Sequence, residues 1–220
     1  MWAILPHMIM QRPRSLRSVV PAALAVMVVM AAVTPAAALH PHERDGWMLG
    51  LSYGPARGNI TFGAGLDESV EIQDGVSPQI RLGHSLGRHF SVGASYAGWM
   101  YETGVVPVKF RLSLQNILAA VTWYPGDPTR SLGGFYVRGG VGLAWTRITG
   151  IELHEDEEQG HGEHLQESGL GFEITLGYEF RVTHNAAFGM SLGAHGLNIQ
   201  GDIFKDASFA PFVFTGAWYW

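Results

Sequence analysis

Six charged residues stand at alternate positions among large apolar ones. Arg81 lies between Ile80 and Leu82, Lys109 and Arg111 flank Phe110, Arg138 follows Val137, Glu173 sits between Phe172 and Ile174, and Glu179 between Tyr178 and Phe180. Successive side chains of a β-strand point to opposite faces. If the apolar neighbours face outward, the charges share a narrow interior, where a buried ion needs a partner. Ion pairs plugging that interior are one use of such a set, and a polar path for small solutes is the other. About eight strands enclose a space that side chains can fill, which favours the plug.

Two further groups could do chemistry. The stretch from Glu152 to Glu167 holds seven acidic residues, no basic ones, and His154, His161 and His164. Histidine and carboxylate suit zinc and related divalent ions, but Gly160 and Gly162 leave these ligands unorganised. The stretch reads as a solvated acidic loop, with no metal or other cofactor assigned. Ser191 and His195 share a strand face four residues apart, roughly 13 Å at about 3.3 Å per residue, too far for a nucleophile to bond its base. No catalytic residue is assigned.

Eight alternating segments position these groups. Trp47, Leu49, Leu51 and Tyr53 begin the first; after a Gly-rich, acidic loop over 58–76, Ile80, Leu82 and Leu86 carry the second, and Phe90 to Met100 the third. In the fourth, Val106 to Leu114 place apolar groups on even positions, while Ile117, Val121 and Trp123 fall on odd ones, which predicts a β-bulge near Gln115 and Asn116. Phe135 to Trp145 form the fifth, and the sixth alternates without error from Leu170 to Phe180. Phe188 to Leu192 and Phe212 to Trp220 complete the set. Short turns near Gly87, Pro125 and His184 alternate with longer connections, notably 58–76 and 149–168. If the fifth and sixth segments pair around a loop centred near Glu158, residue 138 stands opposite 178, which predicts an Arg138–Glu179 ion pair on the diagonal.

The beginning of the chain reads as an export signal. Arg12, Arg14 and Arg17 precede an apolar run from Val19 to Val33 and the small residues Ala36, Ala37 and Ala38, which predicts a cleaved signal peptide over residues 1–38 and a single domain over 39–220. Residues 39–220 keep 11 Lys and Arg against 19 Asp and Glu, a net charge of −8 that argues against nucleic acid as a partner. Cysteine is absent, so neither disulfides nor Cys-bound metal hold the domain together. Hydrophobic residues make up 47% of the chain, yet beyond residue 38 they are dispersed by alternation, and glycine numbers 29.

A soluble exported barrel or sandwich would put its apolar face inside. Here the charged face is also the glycine-rich one, and a small barrel needs small residues on its crowded interior. The predicted fold is therefore all-β: a single eight-stranded antiparallel up-and-down transmembrane β-barrel. A bilayer demands that every backbone group be paired, which closure achieves.

Three stretches carry a resemblance to the small outer-membrane β-barrel superfamily, the porin-like relatives of outer-membrane proteins A, W and X. They are Gly46 to Leu51, the run Gly133 to Leu143, and the aromatic end. The resemblance implies a place in the bacterial outer membrane among its lipid and lipopolysaccharide. It also implies insertion by the barrel-assembly machinery, which would read Phe212, Phe214, Trp218 and Trp220. Its motifs are general to the architecture and carry the fold more than any individual function. The function expected is a structural or interaction role with external loops displayed at the cell surface, open to an unidentified external ligand. A small-solute or lipid-associated channel is the alternative. Some such barrels are lipid-modifying enzymes with a His-x-Ser pattern; here Gly196 and Leu197 follow His195, so the Ser is missing.

Overall fold

The period-two alternation becomes nine strands in the computed structural model, which describes residues 44–63, 69–105, 108–127, 131–152, 164–199, 201 and 203–220. The signal segment 1–38, His154 and His161 lie outside the described residues. The strands are β1 (Trp47–Phe62), β2 (Ser69–Ile72), β3 (Val76–Ser85), β4 (Phe90–Val105), β5 (Val108–Trp123), β6 (Phe135–Glu152), β7 (His164–Arg181), β8 (Ala186–Asn198) and β9 (Phe204–Tyr219). A short 3-10 turn, Ser131–Gly134, leads into β6. Each strand pairs antiparallel with its neighbours, and β9 pairs back onto β1. β2 and β3 lie end to end along the same edge of β1, from Thr61 down to Trp47, so the closed barrel is eight strands around.

Closure is staggered. A row of hydrogen-bonded partners that leaves β1 at Leu51 runs through Ile80, Tyr96, Ile117, Leu143, Leu170, Asn198 and Asp206 and returns to β1 at Thr61, ten residues further on. Such a shear tilts strands by about 40° to the barrel axis. At the seam, the Trp47 N–H donates to the Trp220 carbonyl at 2.8 Å and the Trp220 N–H returns the bond to Trp47 at 3.0 Å. Gly46 makes this approach feasible: it sits at φ +73°, and a Cβ there would lie 2.1 Å from the Trp220 oxygen.

Two sequence expectations change here. β1 continues through Phe62 and β2 begins at Ser69, so much of the expected 58–76 loop is strand; likewise β6 reaches Glu152 and β7 starts at His164. Strands β1, β4, β5 and β9 have 16 residues and β6 and β7 have 18, against the roughly 9–11 that cross a bilayer. The barrel therefore extends well beyond a membrane's thickness.

The outer surface marks where. On β7, the exposed Leu170, Phe172, Ile174 and Leu176, followed in the same phase by the covered Tyr178 and half-buried Phe180, form the outward column, about 25 Å tall at about 3.3 Å per residue and the barrel's tilt. This matches the usual height of a lipid-facing band. Trp47, Phe90, Trp123, Trp218 and Trp220 are exposed at its lower edge, where the short turns and both described ends of the chain lie. Above the band the outward residues turn polar: Asn59, Glu102, Arg111, Arg147, Gln166, Asn198 and Asp206. This upper part is called the collar below.

Candidate functional site: the packed lumen and its collar

The interior has two halves of opposite chemistry. In the lower half a chain of cations, rings and carboxylates runs across the barrel. The Arg44 guanidinium lies 3.5 Å from the Tyr124 ring centre and donates to the Gly133 carbonyl at 2.8 Å. Tyr124 packs on Tyr136 at 5.8 Å between ring centres. Arg81 donates to the Tyr136 hydroxyl at 3.3 Å and meets Glu179 at 3.4 Å. Glu179 also accepts the Tyr219 hydroxyl at 2.6 Å, and the Tyr219 ring carries Arg181 at 3.6 Å. All these groups are buried. Tyr124 lies just past the end of β5, and burial pushes its phenol up to about 12, so it stays a neutral ring beneath Arg44.

One level higher, Arg138 donates to Glu173 at 2.8 Å, and Ser95 donates to the same oxygen at 3.2 Å. Asn116 lies 3.2 Å from His195 Nδ1, whose ring stacks on Phe209 at 4.4 Å. A ring nitrogen that accepts from the Asn116 amide has no proton for Glu173, so the 3.7 Å approach of Nδ1 to Glu173 is a contact, not an ion pair. The cavity left beside Arg81 and Arg138 is about 20 Å³, room for about one water. Glycines create the space the large groups fill. A Cβ at Gly177 would lie 2.3 Å from the Tyr136 ring, and one at Gly58 2.6 Å from Trp99.

The upper half is apolar. Ile60, Trp99, Leu114, Leu197, Phe204 and Phe209 form its buried cluster, joined by Tyr101, Leu112 and Ile148. The Trp99 N–H donates to the Ala56 carbonyl at 3.2 Å, and its ring stacks on Tyr101. Polarity is thus inverted along the barrel axis. Where the outside is apolar the inside is ionic, and where the outside is polar the inside is an apolar core. The lower half obeys the solvation rules of lipid and the upper half those of water.

No protein-family model and no curated protein matches the chain by sequence. Solved structures do match by shape. Ail, the attachment invasion locus protein of Yersinia pestis, superposes with a TM-score of 0.53 at 13% identity, over 80% of this chain and 98% of that one. Neisserial surface protein A gives 0.54 at 14%, with the same coverage of both chains. Ail in complex with the heparin analogue sucrose octasulfate gives 0.50 at 15%. The chain has the fold of these small outer-membrane β-barrels.

The barrel places the sequence-predicted residues as follows. Arg81, Arg138, Glu173 and Glu179 come together in the lumen, but the partners differ from the expected Arg138–Glu179 pair: Arg138 holds Glu173 and Arg81 holds Glu179. The reason is register. Arg138 stands opposite Thr175, not 178, because the β6–β7 hairpin is centred slightly before Glu158. Arg111 is not in the lumen. It points outward on the collar and pairs at 2.5 Å with Glu102, both largely exposed, an arrangement worth about 0–1 kcal/mol. Lys109 pairs by backbone with Gly104 and Ile151, and its side chain lies outside the described residues, as does that of His164. The bulge expected near Gln115 and Asn116 is absent, since β5 keeps one register against both neighbours from Val108 to Trp123.

Glu167, expected at the edge of the acidic loop, instead accepts the backbone N–H groups of Ile203 and Phe204 at 3.0 and 2.8 Å, fastening the β8–β9 connection. Phe214, Trp218 and Trp220 line the outside of the β9 end, with Phe212 half-buried beside Phe214. The sequence reading missed Arg44, Tyr124, Tyr136, Arg181 and Tyr219. Tyr136 and Tyr219 stand in the inward phase of their strands, and Arg181 continues the phase of Glu173 and Glu179. That was the available signal.

Proposed function

We propose that the chain works in the bacterial outer membrane as a closed barrel of structural or interaction type, presenting its collar and external loops at the cell surface. The carrying observation is the packed lumen: an ionic layer under an apolar one, with about 20 Å³ left beside the ion pairs. A barrel so filled offers solutes no path and places its outward chemistry on the collar. Export through residues 1–38, insertion by the assembly machinery reading Phe212, Phe214, Trp218 and Trp220, and contact with lipopolysaccharide all belong to this reading. The crystallised complex of Ail with a heparin analogue supports the idea that a barrel of this shape meets external ligands. Against catalysis stands the setting of His195, whose side chain is almost fully buried and stacked on Phe209.

Planar-bilayer recording of the purified full-length barrel tests the proposal. The expected result is no stable conductance above the lipid baseline. A large, steady open conductance would overturn the closed-lumen reading in favour of a channel.

A further inference from the structure

The lipid-facing band is not uniform. Between β7 and β1 its upper edge carries a trough of about 490 Å³ on the outside of the barrel. Its floor is made of small outward residues of β8 and β9, Ala194, Gly196 and Ser208, and its wall is Phe172 with Ile174. Gly196 is needed there: Phe172, its cross-strand partner, leans over it so closely that a Cβ would lie 2.0 Å from the ring. The lip is polar. Asn198 faces Asp206 across β8 and β9, and Asn59 faces Ser208 across β1 and β9.

We infer that this trough seats one acyl chain of lipid A, the membrane anchor of lipopolysaccharide, in the outer leaflet. Its apolar body continues the lipid-facing surface already described, so a hydrocarbon chain is its natural occupant. The lip selects which. A carboxylate only accepts hydrogen bonds, so Asp206 favours a chain with a donor close to its head. The 3-hydroxyl and amide N–H of lipid A acyl chains supply such donors, whereas the ester-linked chains of a glycerophospholipid bring only acceptors. Asn59, Asn198 and Ser208 can serve the neighbouring carbonyls.

This inference rests on the orientation proposed above, collar outward. It is tested by native mass spectrometry of the full-length barrel from mixed micelles containing purified lipid A or, in parallel, phosphatidylcholine, whose head group has no hydrogen-bond donor. The wild type should retain a single lipid A and no phospholipid. Ala194→Phe and Ser208→Phe, which fill the trough from exposed positions, should lose it. Ala119→Phe, at an outward alanine on β5, should keep it. Heat-modifiable gel migration shows that each variant is folded. Equal retention by all four proteins, a preference for the phospholipid, or no retained lipid would overturn the site. None of these outcomes bears on the conductance test, so the two proposals fail separately.

Discussion

Glu179→Ala is expected to destabilise the barrel by about 3–5 kcal/mol, the usual cost of stranding one partner of a buried ion pair. Glu179 is almost fully buried, and its removal leaves Arg81 without its carboxylate and the Tyr219 hydroxyl without its acceptor. Arg81→Ala should cost a similar amount, and the double variant much less than the sum of the two, because the charges then leave together. Arg111→Ala, which breaks the exposed collar pair, should change stability by about 1 kcal/mol or less. Urea unfolding in detergent measures all four. Strict additivity of the first two would mean that Arg81 and Glu179 are not partners in the lumen.

These pairings show how far the sequence could be read. The error-free alternation from Leu170 to Phe180 placed Glu173 and Glu179 on the inward face of β7 and Phe172, Ile174 and Leu176 on the outward one, as found. A period of two gives the face but not the partner. Partner choice depends on hairpin centre and on barrel shear, which bring Arg81 of β3 to Glu179 of β7 across the lumen, a contact that no local spacing encodes.

The misread bulge in β5 has a different origin. Leu112 and Leu114 are even-numbered and apolar, while Ile117 and Val121 are odd-numbered and apolar, and a change of apolar face along a strand reads as an extra residue. The strand is in fact regular, and the surroundings change. Ile117 and Val121 are exposed on the lipid-facing band, whereas Leu112 and Leu114 face inward to the collar's apolar core. Arg111 was assigned to the lumen for the same reason. A pattern that assumes one solvent along the whole strand cannot register the level at which lipid gives way to water.

The collar core carries the second large effect. Trp99→Ala is expected to cost about 3–5 kcal/mol, the range for truncating a buried large aromatic. Trp99 is fully buried, donates to the Ala56 carbonyl, stacks on Tyr101 and fills the space left by Gly58 and Gly75. The loss should be concentrated above the membrane. Hydrogen exchange in detergent should show faster opening of the collar ends of β1 and β4, with the lower strands still protected. A uniform rise in exchange over both halves, or no rise, would contradict an independent apolar core in the collar.

The inversion of polarity along β5 is tested most directly by a nitroxide scan from position 111 to 121, which is simple to build because the chain contains no cysteine. In lipid vesicles, labels at 117, 119 and 121 should collide with oxygen dissolved in the bilayer, and labels at 111, 113 and 115 with a water-soluble nickel chelate. Labels at the even positions 112 to 120 should be shielded from both. Oxygen maxima at 112 and 114, with 111 and 113 shielded, would contradict a regular strand that passes from lipid into water.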